Sequence, residues 1–153
     1  MSEVTLREYR SGDFEAMFTL DEICFSPAFR FSRAAMRRFA ETKRARVVVA
    51  ERGGKLVGFC IVHLERGGVG YIVTLDVAPE ERRGGLARRM VLELERRLRA
   101  EGVGVMVLHV STENPGAVRF YEALGYAAAH TEEDFYGDGL DAVVYRKGLS
   151  EAS

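Results

Sequence analysis

Apolar and polar residues alternate from Val4 to Tyr9, a period of two that predicts a strand over 4–9. Ser11, Gly12 and Asp13 interrupt it. Phe14, Met17, Phe18 and Cys24/Phe25 then follow helical spacing until Ser26 and Pro27 break the pattern. Ser32 can cap a second helix, 33–41, with Met36 and Phe39 on one side. The runs 45–51 and 55–65 are β-branched and apolar. Arg52-Gly53-Gly54 between them predicts a hairpin whose glycines supply positive φ. A glycine-rich turn, 66–70, leads to a third strand, 71–79, ended by Pro79, so three strands form an antiparallel meander.

Leu86, Met90, Leu94 and Leu98 recur every four residues, an apolar stripe on a helix from about Gly85 to Glu101. Residues 103–110 are continuously apolar, which suits a strand buried on both faces and parallel to its neighbour across that helix. Asn114 can cap a fourth helix with Pro115 at its first position and Gly125 at its end. Residues 126–130 and 141–148 predict two last strands, and 149–153 a frayed tail. The order β-α-α-β-β-β-α-β-α-β-β describes an α/β (α+β) chain. Its expected sheet is single, mixed, mostly antiparallel and twisted, of about seven strands, with helices on both faces. One domain over 1–153 accommodates it, without repeat or linker.

Composition changes this picture little. In 153 residues, 22 Lys and Arg meet 23 Asp and Glu, so nothing global points to nucleic acid or an anionic membrane. No segment reads as a signal peptide or a membrane span, which predicts a cytoplasmic protein. Cys24 and Cys60 are far apart, in no metal-ligand spacing, and read as reduced thiols; no metal site is expected.

Chemistry enters at Glu81-Arg82-Arg83-Gly84-Gly85-Leu86-Ala87-Arg88-Arg89-Met90. A helix N-terminus offers unpaired N–H groups, and glycines let them approach an anion closely. By itself the segment reads more readily as a polar turn before a solvated helix, and it lacks both the GxxxxGK[ST] and the GxGxxG pattern. However, Arg82-Arg83-Gly84-Gly85-Leu86-Ala87 resembles the acetyl-CoA-binding motif of the GNAT acetyltransferase superfamily, Arg/Gln-x-x-Gly-x-Gly/Ala. A second family motif, N-x-x-A-x-x-x-Y-x-x-x-G-[FY], matches Asn114, Ala117, Tyr121, Gly125 and Tyr126. Two motifs at the right separation, within the right order of elements, make the resemblance specific.

The resemblance implies a GNAT fold with acetyl-CoA as donor, its pyrophosphate on Arg82, Arg83, Gly84, Gly85, Ala87 and Arg88. The backbone of Leu75 and Val77 would pair with the pantetheine arm where the fourth strand bulges and splays from the fifth, and Asn114 would contact it. Arg83 stands where a glycine is common, and Ala87 replaces the last glycine. Within the superfamily the chain resembles the protein N-terminal acetyltransferase branch, RimI-like and Met-peptide enzymes included. Leu108-His109-Val110 and Tyr71-Ile72-Val73-Thr74-Leu75 are similar to segments carrying the base pair in that branch, which assigns Tyr71 and His109 as base. Histidine suits an amine of pKa about 8 at neutral pH. Tyr121 is then the general acid toward the thiolate. Phe25 and Pro27 resemble the branch's acceptor loop, and Tyr136 a tyrosine that bonds the peptide backbone, whereas Phe135 lacks its neighbour's hydroxyl.

The expected activity is direct acetyl transfer to a primary amine in a ternary complex. The acceptor expected is a peptide or protein N-terminus, ribosomal proteins among the candidates, with the enzyme a monomer or homodimer. Alternatives are a small-molecule amine or lysine side chain as acceptor, or a non-catalytic acyl-CoA-sensing module. A mere binder has no use for Tyr71, His109 and Tyr121 together. His63 and His130 read as ordinary surface or sheet residues.

Overall fold

In the computed structural model, residues 3–149 are described. The tail expected over 149–153 therefore falls, beyond Leu149, outside the described residues. The elements run β1 (Val4–Glu8), a 3-10 turn (Ser11–Asp13), α1 (Phe14–Cys24), α2 (Arg33–Glu41), β2 (Ala45–Arg52), β3 (Lys55–Glu65) and β4 (Val69–Val77). A second 3-10 turn (Pro79–Glu81) precedes α3 (Leu86–Ala100), β5 (Val105–Ser111), α4 (Pro115–Ala123), β6 (Ala127–Glu132) and β7 (Ala142–Gly148). The seven strands form one mixed sheet in the order β1-β2-β3-β4-β5-β7-β6, with β4 and β5 parallel and the other pairs antiparallel.

Helices cover both faces. The stripe of α3 is buried at Leu86, Met90, Leu94 and Leu98, and it lies so close to β3 that a Cβ on Gly58 would sit 3.0 Å from Met90 Cε. The opposite face meets α1 and α2, where Phe14, Met17 and Met36 are fully or nearly buried. Each such side chain contributes about 1.5–3 kcal/mol by leaving water. Caps fix two helix starts: Ser32 Oγ accepts from Ala35 N at 3.1 Å, and Asn114 Oδ1 from Ala117 N at 3.0 Å. Buried Glu95 of α3 accepts from Tyr126 Oη at 2.7 Å and Lys147 Nζ at 2.8 Å, tying the helix to β7. Among the described residues no helix is long and apolar enough to cross a membrane.

Two features of β4 shape the site. Its parallel ladder with β5 pairs Val69–Tyr71 with Val105–Val107 and then stops, so the strands part beyond Tyr71. In addition, Ile61 of β3 opposes Thr74 while Val62 opposes Ile72, leaving Val73 as the extra residue of a bulge. Tyr71, Thr74 and Asp76 oppose His63, Ile61 and Phe59, which alternation puts on one face of β3. The bulge thus gathers Tyr71, Thr74 and Asp76 on the α1–α2 face.

Candidate active site

The ladder stops beside a histidine. Tyr71 opposes Val107 across the parallel pair, and His109, two residues on, is its diagonal neighbour on the same face. Tyr71 Oη lies 2.6 Å from His109 Nδ1, and the rings meet edge to face. Burial raises the Tyr71 phenol above its ordinary value, with the Glu132 and Glu65 carboxylates adding to it. Tyr71 therefore keeps its proton at neutral pH and can donate it to Nδ1 of a His109 that carries its own hydrogen on Nε2. Phe135 stacks on the other side of the imidazole, 3.9 Å between centroids and 5° between planes.

Tyr121 is buried on α4, edge-on to Phe120 and Tyr126. Burial also raises its phenol, so it keeps its proton at neutral pH. On the α1–α2 face Asp76 is 1% exposed and faces Asp21, also 1% exposed. Thr74 Oγ1 donates to Asp76 Oδ1 at 2.6 Å, and Phe31 N to Asp21 Oδ2 at 3.2 Å. The remaining oxygens, Asp21 Oδ1 and Asp76 Oδ2, have no other donor and can bond to each other only if one is protonated. Burial and the neighbouring carboxyl accordingly hold Asp76 well above the usual carboxylate range, and the pair shares a proton.

Cys24 closes this end of the opening. Its Sγ donates to the Val77 carbonyl at 3.3 Å, and Arg82 Nε reaches the same oxygen at 3.3 Å. Both cysteines are free, and burial raises both thiols, so neither is an activated nucleophile. Among the described residues no cluster suited to a metal ion occurs.

The loop after β4 fits an anion. Gly85 is the N-cap of α3, and the first intrahelical bond is Arg89 N to Gly85 O at 3.0 Å, which leaves the N–H groups of Leu86, Ala87 and Arg88 at the helix mouth. Arg83 and Gly85 both take positive φ, 73° and 79°, which curls the loop around those groups. The acids before it are tied away: Glu81 bonds Arg52 at 2.8 and 3.0 Å, and Glu80 meets Lys55 at 3.4 Å. Arg82, Arg83 and Arg88 remain exposed beside the open N–H groups. Beyond Tyr71, the β5-facing backbone edge of β4 has no ladder partner, which suits an amide-bearing chain laid along Leu75 and Val77. The residues present therefore fit a coenzyme A thioester: an anion cradle at one end, an open strand edge along the arm, and a Tyr–His pair beyond.

The residues expected on the acceptor side lie in two loops. Tyr136 is half-buried, edge-on to Phe135 at 4.9 Å and to Phe29 at 4.9 Å. Its loop is bonded internally through Asp134 and Asp141. Phe25 ends α1 half-buried, its carbonyl accepting from Arg30 Nε at 2.8 Å, and Pro27 is exposed. The structure thus brings Tyr71, His109, Phe135 and Tyr136 together, and Phe29, from the same segment as Phe25 and Pro27, reaches them. Sequence reasoning passed over Phe29, the Asp21–Asp76 pair, and Glu132. The last lies 3.1 Å from His109 Nε2 and 3.3 Å from His130 Nε2. The signal for Glu132 was His130-x-Glu132, which puts both side chains on one face of a strand. His63 is structural: buried, with Nε2 2.8 Å from the Phe39 carbonyl.

With that geometry in hand, comparison with known proteins found a match of residues 14–126 to the model of the acetyltransferase (GNAT) family. Mycothiol acetyltransferase of Streptomyces avermitilis is 37% identical over 86 residues, 55% of this chain but 28% of that protein. The catalytic subunit ard1 of the N-terminal acetyltransferase A complex of Schizosaccharomyces pombe is 29% identical over 110 residues, 67% of this chain and 62% of that protein. The chain therefore spans less than two thirds of the length of either relative. Among solved structures, the ribosomal-protein-S18-alanine N-acetyltransferase of Escherichia coli superposes with a TM-score of 0.87, covering 99% of this chain and 97% of that one at 24% identity. That likeness is one of fold.

Proposed function

The chain belongs to the acetyltransferase (GNAT) family, and on that premise we propose that it moves an acetyl group from acetyl-CoA to a primary amine, the N-terminal α-amine of a peptide or protein. The observation that carries the reading is the 2.6 Å contact of Tyr71 Oη with His109 Nδ1, where β4 and β5 part. When bound, the donor supplies a thioester carbonyl open to attack and a thiolate leaving group.

The residues then divide the work. Open N–H groups at Leu86–Arg88 and the charges of Arg82, Arg83 and Arg88 hold the pyrophosphate, with Gly84 and Gly85 keeping the backbone close. Leu75 and Val77 offer the free strand edge to the pantetheine arm, for which Cys24 and Arg82 must release the Val77 carbonyl. Asn114, whose Oδ1 caps α4, is assigned a contact with the same arm. Tyr71 takes the amine proton as its own passes to His109, and Tyr121 protonates the departing sulfur. Inactive thiols at Cys24 and Cys60 leave direct transfer within a ternary complex as the route. Tyr136, with Phe25, Pro27 and Phe29, lines the acceptor side.

A second reading, acetylation of a small-molecule amine, draws support from the mycothiol-named relative and from Phe135, which offers no hydroxyl to a peptide. Thiol release from acetyl-CoA against N-terminal peptides, free lysine and polyamines tests both. Turnover concentrated on peptides supports the first reading; turnover on small amines alone replaces it with the second. Tight coenzyme A binding without release to any acceptor would leave only a sensing module.

A further inference from the structure

The imidazole of His109 has a second side that the proposed base pair does not use. His109 is 14% exposed at its side chain, and its Nε2 is buried without a hydrogen bond. A buried N–H left unpaired is costly, so an acceptor close to it matters. That acceptor is Glu132 Oε2, 3.1 Å away but off the line of a hydrogen bond in the resting geometry.

The sheet explains how a residue two strands away arrives there. His109 of β5 and His130 of β6 both flank Val144 of β7, and Glu132 flanks Ala142 in the next row of the same face. β5 and β6 are two strand spacings apart, about 9.5 Å. The intervening side chains, Val144 and Ala142, are short, which leaves Glu132 room to reach across them. His130 Nε2, at 3.3 Å from Oε1, holds the other carboxylate oxygen. Phe135 stacks on the ring and blocks its rotation toward solvent.

We infer that Glu132 is the third member of a Tyr71–His109–Glu132 relay, a positioning residue that orients the imidazole and stabilises the positive charge it gains. This rests on the reading of Tyr71 and His109 as the base. The proton balance is simple. The amine N–H breaks as a Tyr71 O–H forms, and the original Tyr71 O–H breaks as His109 Nδ1–H forms. The imidazolium then faces the Glu132 carboxylate, which can take the Nε2 proton and release it to water through its exposed side. No electrons change hands. The contacts with His109 and His130 also hold the Glu132 carboxyl below its ordinary range, so it is an anion throughout neutral pH. The other groups acting here are Tyr71 from β4, Tyr136 from the β6–β7 loop and Glu65 at the end of β3, the last two through Tyr71.

The test compares wild type, Glu132→Gln and Glu132→Asp by the pH dependence of kcat and kcat/KM and by NMR titration of the His109 imidazole. Removing the anion should move the acid limb of kcat/KM to lower pH by about half a unit to one unit. Plateau kcat should fall about three- to tenfold, with the KM for acetyl-CoA unchanged. Glu132→Asp, which keeps the charge one methylene further off, should fall between the two. The NMR midpoint of His109 should move with the kinetic limb. Superimposable profiles and midpoints for wild type and Glu132→Gln overturn the relay. So does a Glu132→Gln variant that loses turnover and thermal stability while its limb and midpoint stay in place. If wild type acetylates no acceptor yet the midpoint still moves in Glu132→Gln, the acetyl-transfer reading fails alone and the Glu132–His109 coupling stands.

Discussion

At the scale of single residues, the site depends on protons held in place by burial. Tyr71 and Tyr121 both have phenols raised by burial, yet the proposed reaction gives them opposite tasks. Tyr71 can pass its proton on because His109 Nδ1 is 2.6 Å away to receive it. His109→Ala removes that receiver, and kcat should fall by about 10²–10⁴ with coenzyme A affinity unchanged. Steady-state kinetics beside calorimetric coenzyme A binding checks this, and turnover within twofold of wild type would remove His109 from the chemistry. Arg83 offers a second prediction. Its φ of 73° is left-handed, a conformation that costs a non-glycine residue about 1–2 kcal/mol. Arg83→Gly should therefore be more stable than Arg83→Ala by about 1 kcal/mol in denaturant unfolding, although both lose the same charge. Both motif departures were visible in the chain, and Arg83 was the informative one: the position asks for glycine, and an arginine there puts charge at the loop in return for strain. Glu132 was harder to see, because the His130-x-Glu132 spacing fixes only a shared strand face, and the approach to His109 depends on the register of β5, β7 and β6.

At the scale of elements, periodicity carried the order of strands and helices, because α3 has a long apolar stripe and most strands lie beside a glycine or proline. Boundaries moved by a residue or two: β4 begins at Val69 and ends at Val77, where 71–79 was expected, and β5 begins at Val105. The bulge at Val73 could not be read from residue type. Buried and half-buried residues alternate without a break along β4, since helices cover both faces and a change of face leaves the hydrophobic pattern intact. The place where β4 and β5 meet before parting has its own requirement. A Cβ on Gly70 would lie 2.8 Å from Met106 Sδ and 3.4 Å from Val103 and Val62. Gly70→Ala should therefore displace the Met106 side chain one residue before the last β4–β5 pair and cost about 1–3 kcal/mol. Thermal unfolding beside turnover reads both effects, and a variant as stable and active as wild type would show that the junction is looser than drawn.

At the scale of the whole molecule, opposed carboxyls set how stability follows pH. Asp13 is held below its ordinary value chiefly by its bidentate bond to Arg7 at 2.7 and 2.9 Å. A depressed carboxyl of this kind contributes stability above the unfolded value near 4, which is lost as pH falls through the folded value. Asp76 has the opposite sign. Its folded value is raised by burial and by Asp21, so its contribution is complete below about pH 4, where the unfolded chain is protonated too. As pH rises from there the unfolded state ionises while the folded one does not, and stability falls by up to about 1.4 kcal/mol per pH unit until Asp76 itself ionises. Asp76→Asn keeps the size and a hydrogen bond to Asp21 but has no proton to lose. Its unfolding free energy should therefore decline less between pH 5 and 8 than that of wild type, and its pH of maximum stability should lie higher. Denaturant unfolding at several pH values gives both curves, and parallel curves would mean that the pair is not sharing a proton. The pair lies between α1 and the bulged half of β4, beside the opening assigned to the donor. The same carboxyls that weaken the fold at neutral pH are thus spent where α1 must stay against β4, and Asp76→Asn should also report, through the KM for acetyl-CoA, whether that contact shapes the channel.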